Sequence, residues 1–198
     1  MMKQILLEND VVQLRSIERR DVEGIIEAAS DPKIWVHMSE TLLTHEAVLQ
    51  YVENAVKEHE AGQMYKFVII DKKTGKIIGR TTLFDISLQH KRLEIGYTWL
   101  NPHYWRSNIN TNCKYLLLTY CFEHLGLHRV QIKTDDKNNR SQKAIERLGA
   151  TKEGVLRNHM VRKDGTIRHT VMYSITKEDW PHVKQHFERN LLKKSFNF

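Results

Sequence analysis

No apolar run in this 198-residue chain approaches the ~20 residues a helix needs to cross a bilayer. The opening stretch MMKQILLEND has no basic segment followed by a long apolar one, so no secretory leader is expected. Cysteines number two, Cys113 and Cys121. Eight positions apart on one helix, they are separated by roughly 12 Å along its axis, beyond disulfide reach. Their apolar neighbours read as those of small core residues; a catalytic thiol stays open, with no paired histidine identifiable from the spacing. With 3 prolines and 9 glycines and no repeat, neither a linker nor a low-complexity segment is present. These absences predict one domain over residues 1–198, in the cytoplasm and with no membrane partner.

Metal-ligand spacing is missing as well. The 11 histidines are dispersed, without an H-E-x-x-H pair or a Cys/His cluster, so no metal site is expected. The formal charge of +7 invites a nucleic-acid partner. Against this, no run of five like charges occurs, and no RNA-recognition signature is found. A positive field serves an anionic small ligand equally well. A ribosome-associated role remains the alternative that charge keeps open.

What is there is a mixed succession of periodicities. Val11–Arg15 reads as a strand. Val22, Ile25, Ile26 and Ala29 mark a helix stopped by Asp31-Pro32. A second helix starts at Thr44-His45-Glu46 and keeps helical spacing until Gly62. Strands at 65–71 and 76–84 flank the hairpin loop Lys72–Gly75. The next strand, 93–100, alternates: Leu93, Ile95, Tyr97 and Trp99 on one face, Glu94, Gly96, Thr98 and Leu100 on the other. A helix from Ile109 to about Leu125 has a buried stripe. Then come a strand at 128–134, a short helix at 139–148 ended by Gly149, strands at 150–157 and 168–175 around Lys163-Asp164-Gly165, and a final helix at 177–192. The order predicts an α/β fold, a mixed sheet with helices on both faces.

Two stretches carry chemistry. Where the strand 93–100 hands over to the helix from Ile109, backbone N–H groups at the helix start favour a pyrophosphate, with Arg106 adding charge. The second stretch is Asn138-Asn139-Arg140-Ser141, opening a helix that closes in Arg147-Leu148-Gly149-Ala150 and continues as Lys152-Glu153-Gly154-Val155-Leu156-Arg157. It resembles the signature of the GCN5-related N-acetyltransferase superfamily, and within it the RimJ/RimL-type ribosomal-protein N-terminal acetyltransferases. Leu93–Tyr97, Trp105 with Ile109-Asn110-Thr111, and Arg168–Ser174 match too, so the likeness runs from about Asn9 to Asp179.

The resemblance implies the acyl-CoA N-acyltransferase fold, with its sheet splayed between the strands 93–100 and 129–134. It implies acetyl-CoA as co-substrate and transfer of the acetyl group to a primary amine, a protein N-terminus or a small molecule, by direct attack. Trp99 and Leu100 would pair with the pantetheine arm, and the turn of Arg106, Ser107, Asn108, Ile109, Asn110 and Thr111 would hold the pyrophosphate. Asn139 would bond the cofactor arm, Ser141 would face the departing thiol, and Glu94 would act as base or substrate anchor. Trp35 and Met38 fall where the family builds its acceptor pocket, although core packing explains them as well. A homodimer is compatible with the family. The chain departs from it by placing Asn108 and Asn110 where glycines are usual; asparagine is the side chain that best tolerates left-handed angles. That departure keeps a second reading open, an acyl-CoA sensor with little turnover.

Overall fold

A computed structural model describes residues 5–192, so the ends of the expected 1–198 domain lie outside the described residues. The elements run β1 (Leu6–Glu8), β2 (Val12–Ser16), α1 (Val22–Ala29), α2 (His45–Glu60), β3 (Tyr65–Asp71), β4 (Ile77–Ser87) and β5 (Arg92–Leu100). They continue with α3 (Ile109–Thr119), β6 (Arg129–Asp135), α4 (Asn139–Arg147), β7 (Thr151–Val161), β8 (Ile167–Thr176) and α5 (Trp180–His186). Sequence periodicity missed β1: three residues are too short to show an alternation. It pairs antiparallel with β2 across a turn in which Asn9 Oδ1 accepts from the backbone N–H groups of Val11 and Val12. Two single-turn π segments, Tyr120–His124 and Phe187–Leu191, extend α3 and α5.

The local causes are those the sequence suggests. Thr44 caps α2 by accepting from the Ala47 N–H at 3.2 Å. Gly149 follows α4 with φ +92, in the left-handed region a helix stop needs. The strand order is β1-β2-β3-β4-β5-β6-β8-β7. Helices cover both faces. Ile109, Cys113 and Leu117 of α3 pack with Ile145 of α4 and Val183 of α5 on one; Ile25 and Ala29 of α1 pack with Val48 and Val52 of α2 on the other.

Two features of β5 position the site. First, its parallel pairing with β6 covers only Arg92↔Arg129, Leu93↔Val130 and Glu94↔Gln131. Past Glu94 the two strands part, leaving the sheet open as the resemblance implies. Second, β5 does not alternate evenly. Tyr97 takes φ +49, and the register against β4 shifts between Arg80↔Trp99 and Thr82↔Gly96, which is a β-bulge. One extra residue exchanges the faces beyond it. Leu100 therefore joins Leu93 and Ile95 on the α3 side, whereas Trp99 packs on the α1–α2 side with Trp35. The even alternation expected from sequence, with Trp99 beside Leu93 and Leu100 opposite, is corrected by this bulge. Gly79 of β4 makes room for it: a Cβ there would strike the Trp99 carbonyl oxygen.

Candidate active site

The parting of β5 and β6 opens a cleft of about 890 Å³. Its walls come from β5 and β6, the turn into α3, α4, the 34–39 segment and the β7–β8 hairpin. Arg106, Lys114, Lys133, Arg140, Arg147 and Arg168 line it, against the carboxylates Glu94 and Asp135. Asp135 is already engaged: Arg162 holds it at 2.7 Å and 2.8 Å, which keeps its carboxyl well below the usual range. The net field in the cleft is positive and suits a polyanion.

Of the residues singled out from sequence, Glu94, Trp99, Leu100, Arg106, Ser107, Asn110, Ser141 and Met38 come together in this cleft. Glu94 is 1% exposed. Its Oε2 receives the Lys133 Nζ at 3.0 Å and the Gln131 Nε2 at 3.0 Å. Burial raises its carboxyl pKa above the ordinary value, and Lys133 and then Gln131 pull the other way. A Cβ on Gly96 would strike the Phe84 ring, so the glycine lets that ring pack close beside the carboxylate.

Asn108, Ile109, Thr111, Asn139 and Trp35 are outside the lining. Asn139 is exposed, and Asn138 faces the cleft in its place. Asn138 is also the cap of α4, its side chain accepting from the Ser141 N–H at 3.0 Å. The cap of α4 is thus Asn138, and among the described residues the Ser141 hydroxyl makes no hydrogen bond. Trp35, 5% exposed, donates its indole N–H to the Ala29 carbonyl and meets Trp99 edge-on at 5.4 Å. It is core under the cleft, and Met38 is the wall residue.

The turn into α3 does not use the freedom expected of its asparagines. Asn108 sits at φ −79, in ordinary helical space, and the left-handed residue is Arg106 at φ +64. Thr111 instead accepts from Arg147 at 2.7 Å, and Asn112 ties α3 to the β1–β2 turn through Asn9 at 2.9 Å. At the β5 end, the Leu100 carbonyl accepts from the Trp105 indole at 2.9 Å, and the Arg140 guanidinium lies 4.1 Å over the Trp105 ring.

Sequence reasoning missed Lys114. It is 6% exposed, and its Nζ donates to Thr98 Oγ1 at 2.8 Å. The available signal was its position one helical turn after Asn110, on the same face of α3. The two thiols are buried and pushed up by desolvation, Cys113 to about 12, so neither is a nucleophile.

The 34–41 segment is pinned from both sides. Arg80 of β4 ion-pairs with Glu40. From the β7–β8 loop, Lys163 Nζ donates to the Glu40 carbonyl at 2.8 Å and to Thr41 Oγ1 at 2.6 Å. Among the described residues no group of histidine, cysteine and acidic side chains could hold a metal ion, and no helix is long and apolar enough to cross a membrane.

Known proteins resemble this chain in sequence and fold. Residues 12–151 match the family described as the acetyltransferase (GNAT) domain. The chain is 29% identical over 178 residues to p20 of Bacillus licheniformis, an uncharacterized N-acetyltransferase, covering 88% of this chain and 97% of that protein. It is 31% identical over 121 residues, 61% of each chain, to YdaF of Bacillus subtilis, which is provisionally named a ribosomal N-acetyltransferase. The crystal structure of a GCN5-related N-acetyltransferase from Brucella melitensis superposes with a TM-score of 0.90 at 27% identity, covering 99% of this chain and 89% of that one. The chain belongs to the GNAT family of acetyltransferases.

Proposed function

We propose that the β5–β6 cleft binds acetyl-CoA and that the acceptor is a primary amine, on a protein N-terminus or on a small molecule. The observation that carries this is the opening past Glu94↔Gln131, lined by an excess of cations. That donor set fits a thioester whose far end bears several phosphates. Arg106, with the N–H groups opening α3, would hold the pyrophosphate, and Arg140 and Arg147 lie near enough to share its charge. The β5 edge would take the pantetheine arm, with Asn138 facing it from α4. In the family, acetyl-CoA supplies the activated acetyl group.

An amine attacks only when neutral, yet an alkyl amine near pKa ~10.4 and an α-amine near ~8 are largely protonated at neutral pH. Glu94 is the buried carboxylate able to accept that proton, its own pKa moved toward working pH by burial. Ser141, free of cap duty, would donate to the departing thiol. Met38 and His37, on the pinned segment, would contact the acceptor. A provisional ribosomal name among the relatives supports a protein N-terminus, though one scaffold serves many amines.

Calorimetric titration with acetyl-CoA and with free CoA tests the first half of the reading. Saturable micromolar binding is expected, and none up to millimolar ligand would overturn it. Thiol release in the presence of peptides and small amines then tests transfer.

A further inference from the structure

Lys114 is a buried amine that the transfer chemistry above leaves unused. It reaches from α3 into the floor of the cleft, where its Nζ donates to the Thr98 hydroxyl at 2.8 Å. Thr98 follows the left-handed Tyr97 directly, on the stretch of β5 that has parted from β6. Among the described residues Lys114 makes no ion pair. The cleft's other lysine differs: Lys133 is paired with Glu94 at 3.0 Å. A buried ammonium lacking a counter-charge is costly, and burial lowers the Lys114 pKa to about 8. About a tenth of this amine is therefore neutral at pH 7, far more than for an ordinary lysine, with its lone pair available.

We infer that Lys114 is a self-acetylation site, modified by the thioester bound in the β5–β6 cleft. This rests on the acetyl-CoA reading of that cleft. The Nζ lone pair attacks the thioester carbonyl carbon; the new C–N bond forms as the C–S bond breaks. The amine proton passes to the departing thiolate, so the products are an N-acetyl-lysine and free CoA thiol, with no other reactant consumed. The amide keeps one N–H for Thr98 Oγ1 and abolishes the unpaired charge. It also fills the cleft floor, so the event happens once per chain and limits later use of the cleft.

The test is peptide mapping of the full chain after incubation with acetyl-CoA, with and without excess free CoA. Trypsin cuts the unmodified protein after Arg106 and Lys114, releasing Ser107–Lys114. Acetylation blocks the second cut, and the product becomes Ser107–Arg129 carrying one acetyl group. The expected result is that longer peptide, suppressed by free CoA, while adventitious acetylation of exposed lysines such as Lys73 is unaffected. Lys114→Arg should abolish the CoA-sensitive modification; the wild-type map decides the matter even if that variant fails to fold. If free CoA binds calorimetrically but Ser107–Lys114 remains unmodified, the self-acetylation inference is overturned and the cofactor reading stands. If free CoA does not bind, the cofactor reading falls and takes the inference with it.

Discussion

Lys133 Nζ stands 3.0 Å from Glu94 Oε2 and 5.3 Å from the centre of the Phe84 ring. The carboxylate proposed as base is therefore already paired through Oε2, and an acceptor amine must reach its other oxygen. Replacing Glu94 with Gln keeps the shape and the bond from Gln131 but removes the proton acceptor. The expected outcome is a fall in kcat of about 10²–10⁴ with CoA affinity unchanged by calorimetry. A fall in affinity with kcat retained would make Glu94 an anchor rather than a base.

The same pair sets a pH dependence. Glu94 is raised by burial and lowered by Lys133, so Lys133→Met removes the opposing charge. The acid limb of kcat/KM should move to higher pH in that variant; a limb that stays in place takes Glu94 out of the proton transfer.

A raised carboxyl also has a stability consequence. The native state favours the protonated form, so the stability this group contributes is present below the ordinary value of 4.5 and is lost as pH rises through the native value. Glu94→Gln should accordingly melt a few degrees above wild type at pH 8, the gap closing as pH falls toward 4.5. This would be a variant stabilised at the expense of activity. Equal melting curves across that range would show that Lys133 fully offsets the burial.

How far these residues could be read in advance depended on the length and regularity of each pattern. The helices α1 to α4 were legible because apolar spacing and caps agreed, as at Thr44 and Gly149. Glu94 stood out as a lone carboxylate in an apolar strand beside a glycine. The face of Trp99 was not legible, because a period-two reading assumes unbroken alternation and nothing in Tyr97 announces a positive φ. β1 was too short to register. Asn139 came from the resemblance alone, and nothing in the local sequence says which of the adjacent Asn138 and Asn139 turns inward, since helix ends are uncertain by a residue or two. Lys114 was hidden because a lysine on an amphipathic helix reads as solvated until the strand facing it is known to carry Thr98.

Arg106 combines a charge with a left-handed backbone at φ +64. Arg106→Gly separates the two. A non-glycine residue there costs roughly 1–2 kcal/mol, and glycine returns up to about 1 kcal/mol of that through unfolded-chain entropy. The melting temperature should therefore hold or rise. Loss of a charged hydrogen bond to phosphate, roughly 1.5–3 kcal/mol, should weaken CoA binding about 10- to 100-fold. Unchanged affinity would remove Arg106 from the phosphate site.

Asn138 and Ser141 are joined by one hydrogen bond, side chain to backbone, and this makes their substitutions separable. Asn138→Ala removes the cap of α4 and should cost about 1 kcal/mol of stability, read as a lower denaturation midpoint. Ser141→Ala leaves that bond intact, since the donor is its main-chain N–H, and the midpoint should stay within about 0.5 kcal/mol of wild type. If the hydroxyl serves the departing thiol, the same variant lowers kcat by tenfold or more while KM for acetyl-CoA holds. Should Ser141→Ala instead destabilise the fold and leave kcat alone, the hydroxyl is a structural group and the thiol must find its proton elsewhere.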